Sequence, residues 1–133
     1  MEPPSLMPTL GPRASRAIWF ACFAAAFGMT HLPAEQLRMI PWSVSDGVLH
    51  VLGYTGLGGV TIWMWTCQPH VAGLRTVAWC VAGFLVYAAM DEGTQPLVGR
   101  SCELSDWLAD VLGASVGTIV VTAWSHRQST GGE

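Results

Sequence analysis

Charged residues are scarce in this chain, and lysine is absent. Only 11% of the 133 residues are charged, against about a quarter in soluble globular domains. The six basic residues are all arginines that stand singly, and the formal net charge is -3. This pattern excludes a basic face for nucleic acid, and the 51% hydrophobic content indicates a membrane protein.

Paired cysteine motifs are also missing. The four cysteines form no C-x-x-C pair and no zinc-finger spacing, and Cys22 and Cys80 lie inside apolar runs where a small thiol packs easily. The chain shows no internal repeat and no strand-like alternation of polar and apolar residues. These absences exclude a zinc finger and favour an all-α fold.

Four apolar segments dominate what is present. A helix that crosses a hydrocarbon core of ~30 Å needs roughly 20 residues at 1.5 Å per residue. Segments near that length are residues 17–32, 46–65, 74–92 and 105–124, and prolines interrupt the chain between the first and second and after the third. The sequence therefore predicts an all-α integral membrane bundle of four transmembrane helices.

The two ends of the chain differ from this central domain. Residues 1–12 contain four prolines and no periodic apolar pattern, which predicts a disordered tail. Residues 13–125 form the predicted membrane domain, and residues 126–133 form a polar tail. Arg13 and Arg16 before an apolar run also fit a cleaved signal peptide, but no good small-x-small site closes the run cleanly and more membrane segments follow, so a first membrane span is favoured.

The arginines predict an orientation. Four spans place both termini and the link between the second and third helices on one side, with Arg13, Arg16, Arg75 and Arg127, whereas Arg38 and Arg100 lie on the other side. By the positive-inside rule the first side is cytoplasmic. Cys67 should then face the cytoplasm and Cys102 the outside.

Polar residues converge at the outer ends of three of the predicted helices. Ionisable groups next to apolar spans are costly unless they have partners or a function. Asp46 and His50, like Asp106 and Asp110, are four residues apart and share a helix face. The candidate ligand-binding residues are Asp46, His50, Tyr54, Asp91, Glu92, Gln95, Arg100, Asp106 and Asp110. No catalytic residue and no metal ligand is assigned from the sequence.

Structural roles compete with the functional interpretation. Helix capping explains Asp46 and Asp106 as well as a binding site does, because a carboxylate is favoured in a first helical turn. Asp110 lies one turn deeper, so it needs a partner such as Arg100 or His50, or a bound cation. Gly113 and Gly117 form a helix-packing motif, with Gly53 continuing the Asp46 face of the second helix as a further packing glycine.

The identity and spacing of these polar residues and glycines resemble those of the VanZ-like integral membrane proteins, a family named for a teicoplanin-resistance protein. The residues that carry the resemblance are Asp46, His50, Tyr54, Asp91, Glu92, Gln95, Arg100, Asp106, Gly113 and Gly117, within residues 17–121. Gly47 stands where relatives often have lysine, and Asp110 where they often have asparagine. The resemblance implies a small multi-helix protein of the bacterial inner membrane, linked in some members to glycopeptide resistance.

Three functions are compatible with these residues. The leading one is a non-catalytic binding or accessory protein that recognises a lipid-linked or cell-wall component, with the bilayer as its other partner. It needs no cofactor, although the carboxylates could hold a divalent cation that bridges to a phosphate. The alternatives are a metal-assisted hydrolase or transferase acting on a lipid-linked substrate, and a structural membrane subunit. The sequence shows no nucleophile beside a base and no two-histidine metal motif.

Overall fold

A computed structural model describes residues 11–33, 35–36, 39, 45–66 and 72–130. Four long helices are present: α1 Pro12–Thr30, α2 Asp46–Thr66, α3 Leu74–Thr94 and α4 Leu104–Thr130. A short 3-10 helix, Gln95–Val98, links α3 to α4. No strand occurs in these residues, so the all-α prediction is confirmed.

Three of these helices, α2, α3 and α4, are long and apolar enough to cross a membrane. Helix α1 is not among them, because it begins at Pro12 and includes the charged Arg13 and Arg16 in its first turns. The membrane character of the fold is thus supported, while the fourth span stays a prediction.

Helix boundaries differ from the prediction mainly at the two ends of the chain. Helix α1 starts at Pro12 rather than residue 17, since proline is well suited to the first position of a helix. Helix α4 continues to Thr130, so most of the predicted polar tail is helical; Ser125 and Thr130 bond to carbonyls of the preceding turn. Residues 1–10 of the predicted disordered tail lie outside the described residues, as do Arg38 and Cys67.

Contacts at both ends of the molecule show that consecutive helices run in opposite directions. At one end, Thr30 of α1 bonds to Asp91 near the end of α3. Arg100, just before α4, pairs there with Asp46 at the start of α2. At the other end, His126 Nε2 of α4 lies 3.1 Å from the carbonyl oxygen of Ala72, which precedes α3. The predicted polar end is therefore assembled from all four helices.

Helices α2 and α4 pack backbone against backbone. A methyl group on Gly117 would overlap the Thr55 carbonyl oxygen and lie 2.8 Å from Gly59 N, and one on Gly113 would overlap the Val51 carbonyl. This confirms the packing role of both glycines. Gly53 is exposed with open space around it, because α2 packs through Val51, Thr55 and Gly58 instead.

Helices α1 and α3 approach through aromatic side chains. The Phe23 ring centroid lies 5.9 Å from that of Phe84 and 5.1 Å from that of Tyr87. A cavity of about 220 Å³ that is open to the surface remains beside α1 and α3, lined by residues that include Trp19, Phe23, Trp79 and Tyr87 of these helices and Thr61 of α2. This side of the molecule is packed less closely than the seam between α2 and α4.

Candidate functional site

His50 lies at the centre of the polar end, with 4% of its surface exposed. Its Nδ1 is 2.8 Å from Asp110 Oδ1 and 3.8 Å from Glu92 Oε1. Its Nε2 is 3.9 Å from Asp46 Oδ1 and 4.0 Å from Asp106 Oδ2. One imidazole therefore lies between two pairs of carboxylates, and these five residues are called the His50 cluster.

The glycine seam explains how α2 and α4 bring this cluster together. Asp46 and His50 occupy successive turns of α2, and Asp106 and Asp110 occupy successive turns of α4. Because Gly113 begins the close backbone contact one turn below Asp110, the side chains of the two helices meet directly. The predicted i, i+4 faces are thus turned toward each other.

The bond to Asp110 sets the hydrogen position on the His50 ring. An ionised carboxylate accepts hydrogen bonds and does not donate them, so with Asp110 ionised, Nδ1 at 2.8 Å carries the hydrogen and donates to Asp110 Oδ1. In the neutral ring, Nε2 then presents its lone pair. That lone pair lies on the side of Asp46 and Asp106.

The buried half of the cluster has more acceptor oxygens than donors. Gln95 Nε2 donates to Glu92 Oε1 at 2.7 Å, and the Glu103 backbone N–H donates to Glu92 Oε2 at 3.1 Å. Among the described residues, Asp110 Oδ2 and Gln95 Oε1 have no hydrogen-bond partner, although both residues are 0% exposed. Leaving such groups without donors is unfavourable, so the cluster is suited to an additional positive or donating group.

Arg100 lies at the rim of the His50 cluster. The chain turns there through Gly99, whose φ of 78° is in the left-handed region, and the Arg100 backbone N–H donates to the Gln95 carbonyl at 3.2 Å. Its guanidinium pairs with Asp46 Oδ2 and donates to the Thr30 carbonyl at 2.9 Å. The Asp46 side chain is 48% exposed, so the rim is open to the surface of the molecule.

A second cluster surrounds Asp91, which is 1% exposed. Thr30 Oγ1 donates to Asp91 Oδ1 at 3.0 Å, and the Tyr54 hydroxyl donates to Oδ2 at 3.1 Å. His31 Nδ1 is 3.6 Å from Asp91 Oδ1, and its Nε2 is 2.9 Å from Thr94 Oγ1. Asp91, Thr30, His31 and Tyr54 form the Asp91 cluster, which ties the ends of α1 and α3 together.

All nine predicted ligand-binding residues lie at this end of the molecule. They are divided between two clusters: Tyr54 joins Asp91, while Gln95 and Arg100 contact members of the His50 cluster. Sequence reasoning missed Thr30 and His31, which contact Asp91 directly. Their position at the end of the first apolar run, on the same side as the other candidates, was the available signal.

Two groups of three side chains have the composition of a metal site. They are Asp46, His50 and Asp106, and His50, Glu92 and Asp110; in each group the potential ligand atoms lie within 4.8 Å of one another. Imidazole nitrogen and carboxylate oxygen are common ligands of divalent cations. The His50 cluster could therefore hold a metal ion.

No family model, curated protein or solved structure matches this chain. The resemblance to VanZ-like proteins therefore stays a prediction.

Proposed function

We propose that this is a VanZ-like, four-span protein of the bacterial cytoplasmic membrane, with both termini in the cytoplasm. In this proposal its outer polar end binds a phosphorylated, lipid-linked component of the cell envelope without turning it over. The fourth span is α1, in which no charged residue follows Arg16 before Thr30. Arg13 and Arg16 would extend toward the cytoplasmic headgroups.

The position of Arg100 is the observation that carries the binding proposal. Its side chain is 8% exposed and is held by Asp46 and by the Thr30 carbonyl, beside the open rim of a buried polar site. Arginine presents five N–H donors that match the oxygens of a phosphate. The neighbouring carboxylates would repel a phosphate by themselves, so binding needs the positive charge of Arg100, and a bound cation would strengthen it.

The cavity between α1 and α3 supports a lipid-linked ligand. Tyr87 lines this cavity, and Asp91 lies one helical turn further along α3. The ring centroids of Tyr87 and Tyr54 are 5.9 Å apart, so the apolar cavity and the Asp91 cluster adjoin. A hydrocarbon chain in this cavity would place its phosphate near the polar end.

Binding of dodecyl phosphate to the protein in lipid nanodiscs tests the proposal. We expect saturable binding, and no saturable binding of dodecanol, which has the same chain without phosphate. Arg100→Ala should weaken binding at least about tenfold, because a charge-assisted hydrogen bond contributes about 1.5–3 kcal/mol. Arg127→Ala is the matched control, since Arg127 is an exposed arginine at the opposite end of α4.

Two further variants separate the proposal from its alternatives. Asp106→Asn should weaken binding because it removes a carboxylate that could hold the cation, and Glu92→Gln should weaken it because Glu92 anchors both Gln95 and the Glu103 backbone. Equal binding by Arg100→Ala, Asp106→Asn and Glu92→Gln would leave the polar end with a structural role. Metal-dependent release of inorganic phosphate would instead identify a hydrolase. In cells, the same variants should alter glycopeptide resistance if deletion of the gene does.

A further inference from the structure

We propose that a divalent transition-metal cation binds between Asp46, His50 and Asp106, at the open side of the His50 cluster. The cation would give the phosphate a second positive contact beside Arg100, and this role rests on the proposed function. Binding of the cation itself does not depend on the proposed function and can be measured with the metal alone.

The orientation of His50 is the first support. A histidine that binds a metal almost always donates its other ring N–H to a carboxylate or a carbonyl, which fixes the tautomer and the ring plane. His50 Nδ1 lies 2.8 Å from the buried Asp110 Oδ1, and Nε2 is directed to the Asp46 and Asp106 side. Asp110 would then be a positioning residue, and Nε2 the metal ligand.

The distances around Nε2 are compatible with one ion. Nitrogen and carboxylate ligands lie about 2.0–2.2 Å from a zinc-sized ion, so two ligands of the same ion are at most about 4.4 Å apart. Nε2 is 3.9 Å from Asp46 Oδ1 and 4.0 Å from Asp106 Oδ2. The three side chains therefore need only small rotations to share a cation.

The unpartnered oxygens are an independent observation. Asp110 Oδ2 and Gln95 Oε1 lack a donor among the described residues, and both side chains are fully buried in the half of the cluster behind His50. These oxygens lie on the Nδ1 side of His50 and would not contact a cation bound at Nε2. The positive charge of the cation would instead offset the negative charge that the buried Asp110 carries without a donor on Oδ2.

The ligand types indicate which cation is preferred. Mg²⁺ and Ca²⁺ favour all-oxygen sites, whereas an imidazole together with carboxylates favours ions such as Zn²⁺ and Mn²⁺. Three protein ligands leave coordination positions free. Because the Asp46 side chain is 48% exposed, those positions would face the outside and accept a phosphate oxygen.

Equilibrium binding of Mn²⁺ to the full-length protein in nanodiscs, followed by electron paramagnetic resonance, tests the site. Mn²⁺ is the better probe because the cysteine thiols of this chain favour Zn²⁺ over Mn²⁺. We expect one ion per chain and at least tenfold weaker binding by Asp46→Asn and Asp106→Asn. Glu103→Gln is the matched control, because Glu103 is an exposed acid just before α4 and close to Asp106 in the chain. It belongs to neither group of potential ligands.

Asp110 variants test the positioning role. Asp110→Asn keeps an oxygen that accepts the His50 N–H and should have a small effect, whereas Asp110→Leu should weaken Mn²⁺ binding 10- to 100-fold, as loss of an outer-shell partner does in other metal sites. Thermal unfolding of each variant confirms that it is folded. Wild-type Mn²⁺ affinity in both Asp46→Asn and Asp106→Asn would overturn the site, as would an equal loss in Glu103→Gln.

The two proposals fail in different ways. Stoichiometric Mn²⁺ binding without any binding of dodecyl phosphate would keep the cation site and overturn the proposed function. Binding of dodecyl phosphate that is unchanged by a chelator, in a protein that binds no Mn²⁺, would keep the proposed function and overturn the cation site.

Discussion

Two helix interfaces of this molecule are packed differently. The seam between α2 and α4 is formed by backbone contacts, and the interface between α1 and α3 by aromatic side chains. In the seam, Gly58, Gly113 and Gly117 let backbone meet backbone. Between α1 and α3, aromatic rings such as Phe23 and Phe84 span a wider gap, and a cavity remains. Close contact without side chains leaves little freedom for rotation of α2 against α4, while the wider interface is packed through side chains.

This difference is matched by the two polar clusters. Four of the five members of the His50 cluster come from α2 and α4, so the seam fixes their positions. The Asp91 cluster instead joins α1, α2 and α3 through hydrogen bonds from Thr30 and Tyr54. We infer that the rigid seam holds the binding groups, and that the second cluster sets the distance between α1 and the rest.

A bulky side chain in the seam between α2 and α4 should have the largest effect on the free energy of unfolding. Gly117→Val places side-chain carbons against the Thr55 carbonyl and Gly59 N, where only backbone can move, so we expect more than about 3 kcal/mol of destabilisation and little folded protein. Gly83→Val, on the α1–α3 side, meets nothing within 4 Å and should fold normally. Thermal unfolding in mild detergent compares them, and similar melting temperatures would end the distinction between the two interfaces.

Breaking the His50–Asp110 bond should have the next largest effect. Asp110→Ala removes one partner of a buried pair and should cost about 3–5 kcal/mol of unfolding free energy. Asp110→Asn keeps an acceptor for the His50 N–H and should cost much less. Denaturant titration of both variants measures this, and equal losses would mean that the negative charge, rather than the hydrogen bond, stabilises the pair.

Removing a donor from the Asp91 cluster should cost less. Tyr54→Phe leaves the buried Asp91 Oδ2 without the hydroxyl at 3.1 Å, which should lower the unfolding free energy by about 1–3 kcal/mol. Ser115→Ala serves as the control, since among the described residues the Ser115 hydroxyl bonds within its own helix, to the Val111 carbonyl. A Tyr54→Phe protein as stable as Ser115→Ala would show that Asp91 does not depend on this donor.

The smallest effect is expected at the cavity. Trp19 Nε1 donates to Thr61 Oγ1 at 3.0 Å between α1 and α2. A double-mutant cycle of Trp19→Phe and Thr61→Val should give a coupling of about 0.5–1.5 kcal/mol, the usual contribution of a partly buried hydrogen bond. A coupling energy as large as the unfolding free energy lost in Asp110→Ala would mean that this hydrogen bond is one of the main stabilising contacts of the fold.

Much of the candidate site was predictable because it depends on local geometry. Residues four apart on a helix share a face, so the pairing of Asp46 with His50 and of Asp106 with Asp110 follows from spacing alone. Alternation of helix direction then predicts that the end of α3 joins them. Neither prediction depends on how the helices are rotated about their axes.

Rotation is what the spacing could not predict. Gly53 was expected at a helix interface and is exposed, while Gly58 occupies that place. Thr30 and His31 were not assigned to the site, since their contact with Asp91 depends on how α1 packs against α3. The division of the polar residues into two clusters has the same origin.

The sequence by itself determined the helical class, the apolar character of α2, α3 and α4, and the positions of polar side chains within each helix, because these follow from composition and from 3.6 residues per turn. Only the tertiary structure decided that His50 turns Nδ1 toward Asp110 and Nε2 toward Asp46 and Asp106. That choice depends on the rotation and separation of α2 and α4, which are set by backbone contacts of Gly58 with α4 and of Gly113 and Gly117 with α2, between segments that are far apart in the chain.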